Sequence, residues 1–323
     1  MRKASFVLRY AVAACMVVPA TGQLSAKELT FAYVAANLKI PFNAATSKGF
    51  EDAAREAGVT PVVIDPQGDT ARQAAAVNDL IARGVDGIGF LPMDSILAQH
   101  FADDAKAHNI PTVSVAVQVG DSTKRDVRDV YPTLSALVST DDVFAGERAA
   151  ELAARLLPSD HVAKIAIIEG AKGYSAVVQR TSGFRASLDK AGVKYRIVEA
   201  QPTDWSPEQG KAACQGFVAR YPDIDLIFSQ ADDMAVGCAD ALQQSGTKAK
   251  LIATGGGSAA GNNAIASGAM AGSVCTRPEL LGRLMLKVLF EAATNPGAQK
   301  AQFVTYDSTI ITKDSLENCP PEW

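Results

Sequence analysis

Short apolar runs alternate with longer stretches of helical periodicity from residue 29 almost to the end of the chain. Residues 29–36, LTFAYVAA, are apolar, rich in β-formers and too few for a core helix, which predicts a buried strand. Pro41 follows at a position that a first helical turn tolerates. Phe42, Ala45, Gly49, Ala53 and Ala57 then recur at helical spacing until Gly58 stops the pattern. The same alternation predicts strands at 60–65, 87–91 and 111–117, with helices at 70–83 and 95–108. After a polar, irregular stretch at 120–133 the rhythm restarts. Strands are expected at 137–140, 164–169, 194–200, 226–229, 251–254 and 272–276, and short ones at 303–306 and 309–312. Helices are expected at 141–157, 174–191, 207–221, 232–244, 259–266 and 278–293. Strands alternating with helices of this length imply right-handed crossovers and parallel sheets, so the fold class is α/β. Two doubly wound halves in tandem fit the pattern better than one large sheet.

The first 26 residues stand outside this rhythm. Arg2, Lys3 and Arg9 precede an apolar run over 10–20 that is too short to span a bilayer, and Ser25-Ala26 offers small residues for cleavage. An export leader over 1–26 is expected, and the exported chain of 297 residues suits two domains. The formal net charge is −4, and loss of three basic leader residues takes it to −7. That balance argues against a nucleic-acid partner, which needs a basic face. Cys15 leaves with the leader. Cys214, Cys238, Cys275 and Cys319 form an even set that an oxidising compartment would allow to pair, four buried thiols being the alternative.

Several short motifs occur in order along the chain: Pro41-Phe42 opening a helix, Gly84-Val85-Asp86-Gly87 before the third strand, and Asn109-Ile110-Pro111 before the fourth. Ser139-Thr140-Asp141-Asp142, Gly183-Phe184, Tyr221-Pro222-Asp223-Ile224-Asp225 and Asp232-Asp233-Met234-Ala235-Val236-Gly237 follow. Their order and spacing resemble the type I periplasmic solute-binding proteins of ABC importers, in the ribose- and galactose-binding branch. The resemblance implies two α/β lobes joined by crossing hinge strands and closing on a solute between them. It would place hinges near Ser139-Thr140, Thr276-Arg277 and Asp307-Ser308, with one lobe of 27–139 plus 277–308 and the other of 140–276 plus 309–323. Cys214 and Cys238 lie on consecutive helices of the second half and could bridge, leaving Cys275 to tie the hinge region to Cys319 in the tail.

The resemblance also implies a sugar held between aromatic rings and ringed by polar side chains. The rings are kept as Phe42 and Trp205, whereas the polar ring is not. Ile40 stands for the expected asparagine, Ala116-Val117 for an Asp-Arg pair, Val178 for an arginine and Ala231 for an asparagine. The expected acid falls in Gly255-Gly256-Gly257, and Thr276 replaces a hinge glutamine. A buried sugar hydroxyl without a partner costs about 1–3 kcal/mol, so this set suits a solute less polar than a hexose, aromatic or carrying one anionic group. A sugar or polyol bound through a rearranged set is the alternative. Polar groups expected near the pocket are Lys39, Asn43, Ser114, Tyr174, Gln230, Thr276 and Arg277. The glycine run could offer N–H groups to an anion, or be only a tight turn.

No arrangement for catalysis or metal binding is found. His100, His108 and His161 have no metal-ligand spacing, Ser258 sits in no nucleophile elbow, and Asp141 reads as a helix cap. The expectation is an exported, monomeric receptor without cofactor. It would deliver a small solute to a membrane ABC permease and its ATPase. A periplasmic sensor handing its ligand-bound shape to a chemoreceptor or sensor kinase is the alternative; only the partner would differ.

Overall fold

The computed structural model describes residues 28–323; the leader expected over 1–26 lies outside the described residues. The chain runs β1 (Thr30–Val34), α1 (Pro41–Ala57), β2 (Thr60–Ile64), α2 (Thr70–Arg83), β3 (Gly87–Phe90), α3 (Ala98–Ala107), β4 (Thr112–Val115) and β5 (Ala136–Val138). It continues through α4 (Asp142–Ala154), β6 (Ala163–Glu169), α5 (Ser175–Lys190), β7 (Tyr195–Pro202), α6 (Pro207–Arg220), β8 (Leu226–Ser229), α7 (Asp232–Ser245), β9 (Lys250–Ala253), α8 (Ala259–Ser267) and β10 (Ser273–Val274). Last come α9 (Pro278–Thr294), β11 (Gln302–Val304) and β12 (Ile310–Ile311).

Capping sets most of these limits. Pro41 opens α1, and Gly58 closes it with φ 67°, returning its N–H to Ala54 and Arg55 carbonyls. The Asp69 carboxylate accepts from Ala71 and Arg72 N–H to start α2 over the expected residues. Helix α3 begins three residues later than its periodicity suggests. The Asp94 carboxylate captures the N–H groups of Ile96 and Leu97 at 2.8 and 2.9 Å and holds them in a turn.

Two sheets result. One is all parallel in the order β11-β5-β4-β3-β1-β2; the other is parallel in the order β7-β6-β8-β9. The antiparallel β10-β12 pair extends the second sheet through bridges from Ile252 to Gly272 and from Gly256 to Cys275. Helices cover the faces in pairs, and glycines set how closely each pair can pack. A Cβ on Gly49 of α1 would stand 2.0 Å from the Glu279 carbonyl oxygen of α9, and one on Gly282 would stand 2.1 Å from that of Thr46. Gly146 and Gly183 do the same between α4 and α5, as Gly210 and Gly237 do between α6 and α7. Only glycine allows backbones this close.

The chain passes between the sheets after β5, after β10 and after β11. One side chain joins all three passages: the Tyr306 hydroxyl accepts the Arg277 N–H at 2.8 Å and shares a 2.7 Å hydrogen bond with Thr140 Oγ1. The two halves also touch at the cleft rim. Ser95 donates from Oγ to the Gly173 carbonyl at 3.1 Å, Gln118 N–H donates to Ser175 Oγ at 2.8 Å, and Gln179 Nε2 donates to Gln118 Oε1 at 2.5 Å. Disulfides pair Cys214 with Cys238 and Cys275 with Cys319, with Cα separations of 5.2 and 5.9 Å. Among the described residues no helix is long and apolar enough to cross a membrane.

Candidate functional site

Strand ends of both sheets face one cavity of about 80 Å³, several times the ~10–15 Å³ that one water needs. This is where parallel α/β sheets place ligands, outside the carboxyl ends of their strands. The first sheet contributes Leu91 after β3, Ala116 and Val117 after β4, and Ile40, Phe42 and Asn43 at the start of α1. The second contributes Tyr174, Ala176, Arg180, Trp205, Ala231, Asp233 and Gly255, and the tail adds Trp323.

Backbone geometry aims several of these groups. Trp205 adopts φ 71° and Ala116 φ 60°, left-handed conformations that non-glycine residues hold only when their surroundings impose them. Thr203 Oγ1 and the Asp204 carboxylate supply that constraint at Trp205, accepting the N–H groups of Trp205 and Ser206. Gly170 makes room for the indole, because a Cβ there would lie 1.9 Å from the ring. Gln230 in turn positions Gly170: its Oε1 accepts the Gly170 N–H at 3.0 Å while Nε2 donates to the Val177 carbonyl and Thr181 Oγ1, both at 2.9 Å.

The rings meet edge to face. Phe42 and Trp323 have centroids 6.0 Å apart at 88°, and Tyr174 and Trp205 lie 5.7 Å apart at 75°. Trp323 is held from several directions. Its main-chain oxygen accepts Ala259 N–H, Glu322 N–H reaches the Gly257 carbonyl, and the Cys275–Cys319 disulfide anchors the tail four residues earlier. The Glu322 carboxylate accepts from Arg277 Nε and from Glu279 N–H.

Charge is confined to the second sheet's side. Arg180 is buried, with Nε 2.7 Å from the Asp142 carboxylate and an Nη donating to the Gln230 carbonyl. Burial pushes the Asp142 carboxyl up, and the guanidinium opposes that shift. Asp233 in the first turn of α7 is also raised by burial, while the Trp323 indole beside it favours the ionised form. Its neighbour Asp232, fully buried, is pushed up to about 7 despite accepting from Ser273 and Ser258 hydroxyls. Burial likewise raises the Tyr174 phenol to about 12, so it remains a neutral hydroxyl.

Residues 31–298 match the model of the periplasmic binding protein domain family. The chain belongs to that family. It is 31% identical over 261 residues to the ribose import binding protein of Bacillus subtilis, covering 80% of this chain and 79% of that one. Identity to the D-allose-binding periplasmic protein of Escherichia coli is 27% over 291 residues, 88% of this chain and 92% of the relative. The fold is similar to the Caulobacter myo-inositol binding protein, with TM-score 0.81, 23% identity and coverage of 90% and 95% of the two chains. An ABC transporter solute-binding protein from Mycobacterium smegmatis with bound glycerol gives TM-score 0.80 at 24% identity, covering 90% and 96%. This chain is thus a type I periplasmic binding protein of the ribose- and galactose-binding kind, with relatives that are sugar-binding receptors of importers.

In this binding protein, the structure brings Phe42, Asn43, Tyr174 and Trp205 to the cavity wall. Lys39, Gln230, Thr276 and Arg277 are not on it, for different reasons. Lys39 is exposed before α1 and Gln230 is consumed by the bonds above, while Thr276 Oγ1 donates to the Gly256 carbonyl and Arg277 pairs with Glu322. Ser114 is buried and donates to the Val117 carbonyl. The apolar replacements Ile40, Ala116, Val117, Ala231 and Gly255 do line the cavity. Val178 does not: it is 44% exposed, and the arginine on the wall is Arg180, two residues on. Helical residues two apart face different ways. Ala176, Arg180, Gly183 and Phe184 follow the i, i+4, i+7, i+8 spacing of a buried face, a signal already present in the sequence. The glycine run is partly used by main-chain pairing. Gly256 N–H is donated to Val274, and the Gly256 and Gly257 carbonyls receive Thr276 and Glu322. Asp233 and Trp323 have no counterpart among the residues expected from sequence.

Proposed function

We propose that this protein is the solute receptor of an ABC importer, exported by the leader over 1–26, and that its solute is less hydroxylated than a pentose. It works as a monomer, closes its two lobes around the solute, and presents the closed face to a permease with its ATPase. The observation that carries the solute class is the wall itself. Five positions where polar groups were expected are apolar, and four aromatic side chains surround the cavity. Each sugar hydroxyl enclosed there without a partner would cost about 1–3 kcal/mol. An anionic solute is disfavoured, because Arg180 is already paired with Asp142 and Asp233 would repel it. Preferential binding to the closed form raises thermal stability by mass action. Thermal shifts against ribose, allose, glycerol, carboxylates and sparsely hydroxylated solutes are the test. A shift confined to the last group is expected; a strong shift with ribose or allose overturns the solute class and leaves the import role.

A further inference from the structure

The cavity combines many rings with one carboxylate that no cation neutralises. Phe42 and Trp323 form one edge-to-face pair and Tyr174 and Trp205 another, so faces and edges of four rings border a single space. Of the other polar groups on the wall, Arg180 and Asn43 are already committed, whereas the Trp205 indole N–H is buried without a partner. Arg180 is bonded to Asp142 and to the Gln230 carbonyl, and the Asn43 amide donates to the Asn37 carbonyl at 2.9 Å. Asp233 differs: among the described residues no lysine, arginine or histidine forms an ion pair with it. A carboxylate set among apolar groups is costly unless a partner arrives.

We propose that this cavity receives a compact organic ammonium ion, its charge met by Asp233 and its alkyl groups packed against Phe42, Tyr174, Trp205 and Trp323. The proposal rests on reading the cavity as the importer's solute site. Ring faces carry negative quadrupole potential, and a desolvated cation is attracted to them. A sugar needs donors and acceptors around its whole rim, whereas an alkylammonium needs one counter-charge and apolar contact. The positive charge of Arg180 does not oppose this, because Asp142 balances it at 2.7 Å. The box is rigid because Trp323 is fixed by the Cys275–Cys319 tether and by main-chain bonds to α8 and the Gly257 turn.

Isothermal titration with choline, its uncharged isostere 3,3-dimethylbutan-1-ol, and ribose tests this on the wild-type protein. Choline is expected to bind at least roughly tenfold more tightly than the isostere. Asp233→Asn is expected to remove most of that preference, and Trp323→Ala to weaken choline binding. Equal binding of choline and the isostere overturns the charge assignment but keeps the sparsely polar solute class. Ribose binding with both other probes silent overturns the charge assignment and the solute class together. Silence from all three also overturns the ammonium assignment. The comparison of probes needs no variant, so a misfolded Asp233→Asn protein would not rescue the idea.

Discussion

The two sides of the cavity are built on the same β/α plan and carry opposite chemistry. The first-sheet side offers Ile40, Phe42, Leu91, Ala116 and Val117, and its single polar residue, Asn43, donates its amide to the main chain. The second-sheet side carries Arg180 and Asp233 on the wall and the buried carboxylates of Asp142 and Asp232 behind it. Charged wall residues therefore lie on the second-sheet side, and the first-sheet side is almost wholly apolar. A solute would dock by its charged or polar end on the second lobe, and closure would bury its apolar face against the first.

The largest test of that asymmetry is Arg180→Met. It leaves the Asp142 carboxylate buried without its cation, and breaking such a pair costs about 3–5 kcal/mol. Val117→Ala on the opposite wall removes two methyls from a buried position and should cost about 1–2 kcal/mol. Urea unfolding measures both, and equal costs would break the comparison.

Next is the pH response of Asp232. Its carboxyl is raised to about 7 in the folded state from an ordinary 3.8. Between these values the folded protein keeps a proton that the unfolded chain has released. This group's contribution is therefore complete below about pH 4 and declines as pH rises through 7. Melting temperature should fall more between pH 5 and 8 in the wild type than in Asp232→Asn. The difference is on the order of 1–4 kcal/mol. Parallel curves would show that the second lobe carries no such burden.

Gly170→Ala tests how the second lobe sets its ring. The added Cβ must displace the Trp205 indole, so solute affinity should fall roughly tenfold, about 1.4 kcal/mol, with far-ultraviolet circular dichroism unchanged. Unaltered affinity in a titration would mean that Trp205 is not part of the binding wall. The smallest effect is expected from Tyr306→Phe, which removes the hydroxyl shared by the three crossings and costs about 1 kcal/mol. Small-angle scattering should then register a larger radius of gyration without solute; an unchanged radius would separate the hinge from the balance between open and closed forms.

Legibility in the sequence followed the range of the forces involved. Helix α2 spans the expected 70–83 because its apolar stripe, Asp69 cap and Gly84 stop are all local. Helix α3 was read three residues too early, because the Asx turn of Asp94 competes with the periodicity. At the site, Phe42 and Trp205 could be placed because the family resemblance picked out their positions, Phe42 in the first turn of α1 and Trp205 in the loop before α6. Arg180 was not singled out from the sequence, although helical spacing already put it on the buried face. Asp233 stood in plain view within Asp232-Asp233-Met234, with nothing to say which of the two carboxyls faces the cleft.

By itself, then, the sequence determined the α/β alternation, the two-sheet plan, the family and the loss of polar groups at the cavity, all carried by short-range pattern and residue type. Tertiary structure alone decided that Trp323, 281 residues from Phe42, meets its ring, and that Asp233 lines the cavity while Asp232 is buried behind it. Those facts depend on a disulfide, on main-chain bonds from the tail to α8, and on glycine-spaced helix packing. Contacts between distant segments have no local period in the chain to announce them.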